Sequence, residues 1–314
     1  MCITFAASNV AGGRFPIVVA LNRDENPERQ TAPLSEWEYE QQDGASCQII
    51  GGQDLESKGT WFGFSKEHQR FAVLTNRRRR SDLSQAAWEE RRCRMEQQDT
   101  NQQQKKPRHS YDGLKLSIGV NYKSRGLLVC DVLKDGYEFS KNQKGSFYRP
   151  FNLLLGSTKD GLVHVSEDNL DHNGFKLTGE SVYAMTNADD VNPPWPKAVR
   201  GKKLFEEVLD GISAEDTAET VADKLFQVVL LDSKQFALSE QSEDERAQGD
   251  DVAQLTGPIF LPKNEVWHTL SSTVLIVDAN QVATIVEWSH PLCRDGKDAP
   301  TKTQVKCDKL VSRE

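Results

Sequence analysis

The most constraining feature of this sequence is a pair of short, apolar, β-prone segments close to its start. Residues 3–8 (ITFAAS) and 16–21 (PIVVAL) are separated by a segment that contains the flexible pair Gly12-Gly13. Two such runs joined by so short a connection predict an antiparallel hairpin. Because both faces of the two strands are apolar, the hairpin is expected to belong to a sheet that is covered on both sides.

The pairing of these two strands determines which residues meet at the edge of the sheet. If Ser8 faces Pro16, the antiparallel ladder places Cys2 opposite Asn22. Arg23 and Asp24 then lie beside Cys2, where a guanidinium could lower the pKa of the thiol and a carboxylate could orient an α-ammonium group. On the face that contains Cys2, this register predicts small neighbours that leave room for a ligand: Thr4, Ala6, Val18 and Ala20.

Cys2 has the position of a self-activating nucleophile. Its small side chain permits enzymatic removal of Met1, after which the mature chain would begin with a cysteine that has a free α-amino group. The pKa of an α-amino group is about 7.7 to 8 and that of a thiol about 8.5, so the amine can accept the thiol proton near neutral pH. Two simpler interpretations stay open: the thiol is a small hydrophobe, or residues 22–25 form a solvated turn with weak ion pairs.

Further patterns predict the remaining secondary structure. Residues 272–277 and 281–288 flank a turn-forming segment and predict a second hairpin. One helix is predicted over residues 201–212, and a second follows Ser213, which has Asp216 at capping-box spacing and apolar residues three and four apart up to Val229. Single strands are predicted over residues 70–76, 151–155, 161–165 and 181–186.

Composition narrows the functional classes. The 314 residues are predicted to form a single domain, residues 1–314, with an insertion around 78–123 and an acidic loop over 239–251. A formal net charge of −8 gives no general attraction to nucleic acid. The six cysteines are scattered without metal-ligand spacing, so no metal site is predicted. No apolar run reaches the roughly 18 residues that a transmembrane helix needs.

A succession of motifs covers nearly the whole chain. Met-Cys is followed by NRDE at 22–25, GGQDL at 51–55, GTWFG at 59–63, FAVLTN at 71–76, SRG at 124–126, FNLLLG at 151–156, TNA at 186–188, PWPK at 194–197 and SSTVLIVD at 271–278. In content and order these motifs resemble the NRDE family, the transport and Golgi organization 2 group. That family in turn resembles the choloylglycine hydrolase and penicillin acylase branch of N-terminal nucleophile hydrolases.

The resemblance implies an α+β fold, a four-layer αββα sandwich, and a set of site residues. By motif position, Cys2 would be the nucleophile, Arg23 and Asp24 the charged pair beside it, and Asn187 the amide of an oxyanion hole. If the site only binds a ligand, the expected binding residues are Asn22, Arg23, Asp24, Glu25, Asn76, Asn187 and, among the histidines, His268.

Two positions depart from the family pattern. Leu270 and Gln53 stand where basic residues are usual, and the loss of these cations weakens binding of a carboxylate or phosphate there. We therefore rank an intracellular heme or acyl-CoA binding and trafficking role first. A cysteine amidohydrolase or thioesterase that uses Cys2 ranks second, and a purely structural factor of the secretory pathway third.

The binding and trafficking role requires no cofactor, although heme is an expected cargo. The expected partner is a small molecule, either heme or acyl-CoA, and not a nucleic acid. The resemblance implies a cytoplasmic protein with mitochondrial or peripheral Golgi association and a role in lipid homeostasis.

Overall fold

The computed structural model describes residues 2–40, 44, 46–77, 122–136, 147–168, 170, 175–177, 182–188, 195–241, 257–263, 267–291 and 300–307. Met1 lies outside the described residues. So do the predicted insertion, apart from Tyr122 and Lys123, and all but the first three residues of the predicted acidic loop. No helix in the described part of the chain is long and apolar enough to cross a membrane.

Antiparallel strands form two sheets. The six-stranded sheet contains, in spatial order, β10 (Val182–Met185), β1 (Ile3–Val10), β2 (Phe15–Glu25), β11 (His268–Val277), β12 (Ala283–Ser289) and β13 (Thr301–Cys307). The seven-stranded sheet contains, in spatial order, β3 (Thr31–Glu40), β4 (Ser46–Asp54), β5 (Phe62–Ser65), β6 (Arg70–Asn76), β7 (Phe151–Ser157), β8 (Gly161–Ser166) and β9 (Phe175–Lys176).

Helices cover the outer face of each sheet. Helix α1 (Arg125–Asp135) packs on the seven-stranded sheet, and α2 (Pro196–Asp210) and α3 (Ala218–Leu225) pack on the six-stranded sheet. A π-helical turn, Phe226–Leu230, continues α3. The layers follow the order helix, sheet, sheet, helix, which confirms the predicted four-layer αββα sandwich.

Three apolar cores hold these layers together. Phe5, Phe205 and Leu225 belong to the core between the six-stranded sheet and its helices, whereas Val19 and Phe62 belong to the core between the two sheets. A third core, to which α1 contributes five buried residues, lies under that helix: Leu128, Val129, Cys130, Val132 and Leu133. Each strand of the first hairpin contributes to two cores because successive side chains point to opposite faces.

The first hairpin forms as predicted, but its register differs by one residue. Strand β1 continues to Val10, which pairs with Phe15, so the connection is shorter than expected and Ala6 pairs with Val19. A shift of one residue turns every side chain of one strand to the other face. The prediction that Val18 and Ala20 share the face of Ala6 is therefore wrong, because both lie under the helices.

The second hairpin and both predicted helices are confirmed, although both helices begin at other residues than predicted. Helix α2 begins at Pro196, before the predicted start at residue 201. The cap of α3 is Thr217, whose hydroxyl accepts from the Thr220 amide in a capping box. The predicted cap, Ser213, lies in the preceding turn, where its amide donates to the Asp216 carboxylate at 2.7 Å. Ser213 and Asp216 do interact at the predicted spacing, but they form a turn that precedes the helix.

Candidate functional site

Cys2 lies at the edge of the six-stranded sheet where β1 begins. β1 pairs with β2 so that Ile3 faces Asn22, and it pairs with β10 so that Thr4 faces Met185. Continued to Cys2, the two ladders place this residue between Arg23 on one side and Asn187 on the other. Arg23 is paired in turn with Ser271 of β11. The continued registers give the transverse order Asn187, Cys2, Arg23, Ser271, in which Arg23 and Ser271 are a ladder pair and Cys2 and Asn187 lie just beyond the ends of their strands.

The Asn22–Glu25 segment presents alternate residues to opposite faces of the sheet. The Arg23 guanidinium carbon lies 4.0 Å from the ring centre of Trp61, in the layer between the sheets. Asn22 points to the helical side and donates to the carbonyl oxygens of Leu230 at 2.8 Å and Ile259 at 2.9 Å. Arg23 and Asp24 therefore share the edge of the sheet with Cys2, as predicted, but they do not form a pair on one face.

The remaining residues of this segment have partners of their own. The Thr269 hydroxyl donates to the Asp24 carboxylate at 2.7 Å, and Asp24 is buried. Glu25 Oε2 lies 4.0 Å from Arg23 Nη2. Asn22 and Asp24 thus connect the sheet edge to its helical side, whereas Arg23 and Glu25 belong to the side that faces the second sheet.

The Cys2 thiol is partly exposed and donates a long hydrogen bond to the carbonyl oxygen of Asp24, 3.9 Å from Sγ. Burial of its surroundings raises the pKa of the Cys2 thiol above its ordinary value. The positive charge at the chain terminus opposes this shift of the thiol pKa, and the Arg23 guanidinium opposes it less. The resting thiol is therefore protonated near neutral pH.

Asn187 follows β10 in a short segment that is hydrogen-bonded to the seven-stranded sheet. The Asn152 amide donates to the carbonyl oxygens of Thr186 at 3.1 Å and Ala188 at 2.6 Å, on either side of Asn187. The side-chain amide of Asn187 donates to the carbonyl oxygen of Asn76. The structure therefore brings Asn76 to the site through its backbone, because Asn76 itself is exposed at the end of β6.

A group of buried polar atoms around Cys2 has no hydrogen-bond partner among the described residues. These atoms are Thr4 Oγ1, Arg23 Nη1, Trp61 Nε1, Asn187 Oδ1 and Ser271 Oγ. An unsatisfied buried polar group costs about 1–3 kcal/mol, and native proteins retain few of them without a functional or structural reason. We refer to Cys2 with these five residues as the Cys2 cluster.

The layer between the sheets changes from polar to apolar away from the Cys2 cluster. Thr4 shares its ladder position with Met185 and Leu21, and the next inward position is occupied by Ala6 and Val19. All four of these neighbours belong to the apolar core between the sheets. The cluster is thus a polar rim on an apolar layer.

Comparison with known proteins identifies the family. Residues 1–290 match the family profile described as TANGO2, Transport and Golgi organisation 2. The chain belongs to this family. The match confirms the family resemblance predicted from the motifs. A comparison with curated protein sequences finds no match. Among solved structures, the Caenorhabditis elegans N-acylethanolamine-hydrolyzing acid amidase (NAAA) ortholog has a TM-score of 0.40 and 13% identity, over 88% of this chain and 92% of that chain.

In this Transport and Golgi organisation 2 family member, His268 lies across the ladder from Glu25 at the same sheet edge. It is fully buried, and its Nε2 lies 3.2 Å from the carbonyl oxygen of His290. Nε2 of His290 lies 3.0 Å from the Ser272 hydroxyl. The described residues contain no group of three His, Cys, Asp or Glu side chains that could hold a metal ion.

Three residues of this arrangement were assigned no role from the sequence, and a fourth, Thr4, was expected only as a small side chain that leaves room for a ligand. Trp61, Asn152 and Ser271 stand inside the family motifs, and Thr4 is a polar residue at an inward position of an apolar strand. A polar residue in phase with the buried face of a strand is the signal that could have identified Thr4 and Ser271. Asn152 lies in β7 and Trp61 directly before β5, and sequence spacing does not show which residues of the six-stranded sheet they meet.

His164 supports the Asn187 segment indirectly and gives a pH-dependent prediction. Its Nε2 lies 3.1 Å from Asn152 Oδ1, and burial lowers the pKa of His164 to about 4. In the unfolded chain a histidine titrates near pH 6.5, so between these values the unfolded state binds a proton that the folded state does not. This contribution to stability is complete above about pH 6.5 and is lost as the pH falls toward 4.

Between pH 7 and pH 5, the His164→Gln variant is expected to lose about 2 kcal/mol less unfolding free energy than the parent chain loses. Urea unfolding of both chains at the two pH values measures this difference. His290, whose pKa burial also lowers to about 4, is present in both chains and cancels in the comparison. Equal losses of unfolding free energy in the parent and the variant would contradict the assignment.

Proposed function

We propose that this protein binds an acyl compound of the acyl-CoA class and carries it between cellular compartments, with the acyl carbonyl in the Cys2 cluster. The observation that carries this proposal is the set of unpartnered, buried polar atoms that surrounds a thiol at the rim of an apolar layer. A thioester combines a polar carbonyl with an apolar chain. Met185, which is unbranched and adaptable, and Leu21 offer the first apolar contacts to that chain.

The contacts of the described histidines favour an acyl ligand over heme. A heme carrier needs a wide apolar slot and an accessible axial ligand. His164, His268 and His290 are buried, and Nε2 of each lies within hydrogen-bond distance of a protein group. The fourth described histidine, His68, lies in the turn between β5 and β6, at the opposite end of β6 from Asn76. Heme binding stays a prediction from the sequence, and so does the mitochondrial or Golgi site at which a carrier would act.

Hydrolysis of the acyl bond by Cys2 is the second candidate function. It is favoured by the row in which a thiol lies between an amide, Asn187, and a guanidinium, Arg23. Acyl transfer needs a nucleophile beside groups that stabilise an oxyanion, and the thiol must first lose its proton. We rank this function second because burial raises the pKa of the Cys2 thiol and the thiol donates to Asp24.

Thr4→Val tests whether the polar rim serves a ligand. Because Thr4 Oγ1 is buried without a partner, its replacement by a methyl group is expected to raise the unfolding free energy by about 1–2 kcal/mol. The same change is expected to weaken palmitoyl-CoA binding by about tenfold, the loss of one good hydrogen bond. Urea unfolding and calorimetric titration measure the two effects. Thr284→Val, on β12 at the helical face, is the matched control and should leave the affinity unchanged.

Titration of the parent chain with palmitoyl-CoA, free CoA and hemin tests the choice of ligand. We expect saturable binding of palmitoyl-CoA and weaker binding of free CoA. Hemin binding with a Soret shift, without palmitoyl-CoA binding, would contradict the proposal and favour heme. Repeated release of CoA from palmitoyl-CoA, lost in Cys2→Ala, would make hydrolysis the primary function.

A further inference from the structure

We infer that Arg23, Trp61 and Ser271 form a subsite for an anionic oxygen group of the ligand, a carboxylate or a phosphate. This inference rests on the proposed function, because it specifies the charge of the ligand that binds beside Cys2. It assigns ligand recognition to two residues, Trp61 and Ser271, that the family motifs contain without a stated role.

Arg23 supplies the charge of the subsite. Its side chain is 4% exposed, its guanidinium lies on the Trp61 ring, and Nη2 is 4.0 Å from the Glu25 carboxylate. Nη1 is buried and has no hydrogen-bond partner among the described residues. A guanidinium stays charged and offers five N–H donors in a fixed plane, so an unpartnered Nη1 is a donor that an incoming anion can use.

Trp61 is fixed under Arg23 by the backbone of β4. A side-chain carbon added to Gly52 would lie 2.5 Å from Cη2 of Trp61, so the indole occupies space that only glycine leaves. The Thr60 hydroxyl donates to the carbonyl oxygen of Gly52 at 2.6 Å and holds the preceding residue to the same strand. Nε1 of Trp61 is buried and has no partner in the described part of the chain.

Ser271 completes the subsite from β11. It is the direct ladder partner of Arg23, and the ladder is irregular between Thr269 and Ser271, where Leu270 is accommodated as a bulge. Ser271 is 6% exposed, and its hydroxyl has no partner among the described residues. Leu270 and Gln53 lack the charge that the family pattern has there, so Arg23 is the cation that this arrangement provides.

The donor inventory determines the class of ligand. The guanidinium and indole N–H groups can only donate, and the serine hydroxyl can donate as well. Three donors and a positive charge in a buried site complement an oxygen anion, because charge-assisted hydrogen bonds are about twice as strong as neutral ones. The buried carboxylate of Glu287 does not occupy these donors, since it accepts from the Leu34 amide at 2.7 Å and the Thr273 hydroxyl at 3.1 Å.

The test compares palmitate with palmitamide, which have the same chain but differ in head-group charge. We expect the full chain to bind palmitate at least about tenfold more tightly than palmitamide. Trp61→Phe keeps the aromatic ring under Arg23 but removes the donor, and Ser271→Ala removes a hydroxyl that holds no protein group. Because Arg23 is retained, the double variant is expected to keep only a smaller preference for palmitate, reduced by about the strength of the two lost hydrogen bonds. Trp37→Phe, which removes an indole donor already bonded to Gly51 at 3.1 Å, is the matched control and should keep the preference.

Competition distinguishes the source of the anion. Displacement of palmitate by free CoA assigns the subsite to a phosphate group, whereas no displacement, with the palmitate preference intact, assigns it to a carboxylate. Equal affinities for palmitate and palmitamide in the parent chain, or a preference in the double variant as large as that of the parent chain, would overturn the inference. If both ligands still protect Cys2 from alkylation, the proposed function stands without the subsite; if neither of them nor palmitoyl-CoA binds, the proposed function fails. Thermal melting of each variant verifies that it is folded.

Discussion

Replacement of Gly59 by valine is expected to cost more than about 4 kcal/mol of unfolding free energy and to leave much of the protein unfolded. A side-chain carbon at Gly59 would overlap the carbonyl carbon of Gly126 and lie 2.6 Å from the Leu127 amide nitrogen. Both atoms belong to the backbone at the start of α1, so no side chain can move aside. The helix would have to leave the seven-stranded sheet and expose the core beneath it.

Urea unfolding measured by fluorescence and circular dichroism tests this expectation. Gly211→Ala is the matched control, because Gly211 follows α2 with a φ of −85°, and an added carbon would lie 3.3 Å from the nearest atom, Glu207 O. That change should shift the unfolding free energy by less than about 1 kcal/mol. A Gly59→Val chain with parental stability would show that α1 does not need the close contact with the segment between β4 and β5.

The contact between Gly59 and Gly126 illustrates what the sequence could and could not predict. The two glycines stand in separate motifs, and both motifs were recognised, but their meeting depends on how α1 crosses the sheet. The short apolar, β-prone runs over residues 3–8 and 16–21 predicted the hairpin and the layers on both faces, because a strand with two apolar faces must be covered twice. The αββα order followed from the family resemblance and not from periodicity alone.

The geometry at Cys2 was predicted only in part. The edge that Cys2 shares with residues 22–25 could be counted along the hairpin, whereas the opposition of Cys2 and Asn187 depends on a ladder between residues far apart in sequence. The faces of Arg23 and Asp24 relative to Cys2 follow from the register, and the observed pairing of Val10 with Phe15 shifts this register by one residue from the predicted one. The geometry of the turn fixes the register, and the pattern of apolar residues does not reveal that geometry.

The second large effect is expected at the Cys2 thiol. If the acyl carbonyl lies in the Cys2 cluster, a bound ligand covers a thiol that is partly exposed in the free protein. Cys47, Cys130 and Cys307 are buried, so among the described cysteines iodoacetamide should react first with Cys2. Peptide-resolved mass spectrometry identifies the alkylated cysteine. The N-terminal peptide also shows whether the mature chain begins at Met1 or Cys2, and a retained Met1 would exclude self-activated hydrolysis.

The most direct measurement is therefore the rate of Cys2 alkylation with and without palmitoyl-CoA. Only the unbound protein should react, so at a ligand concentration about a hundred times Kd the rate should fall about a hundredfold. Free CoA, which lacks the acyl group, should protect less at the same concentration. Calorimetry on the same samples verifies saturation. A rate of Cys2 alkylation that stays unchanged while palmitoyl-CoA is bound would contradict the account, because the ligand would then lie elsewhere on the protein.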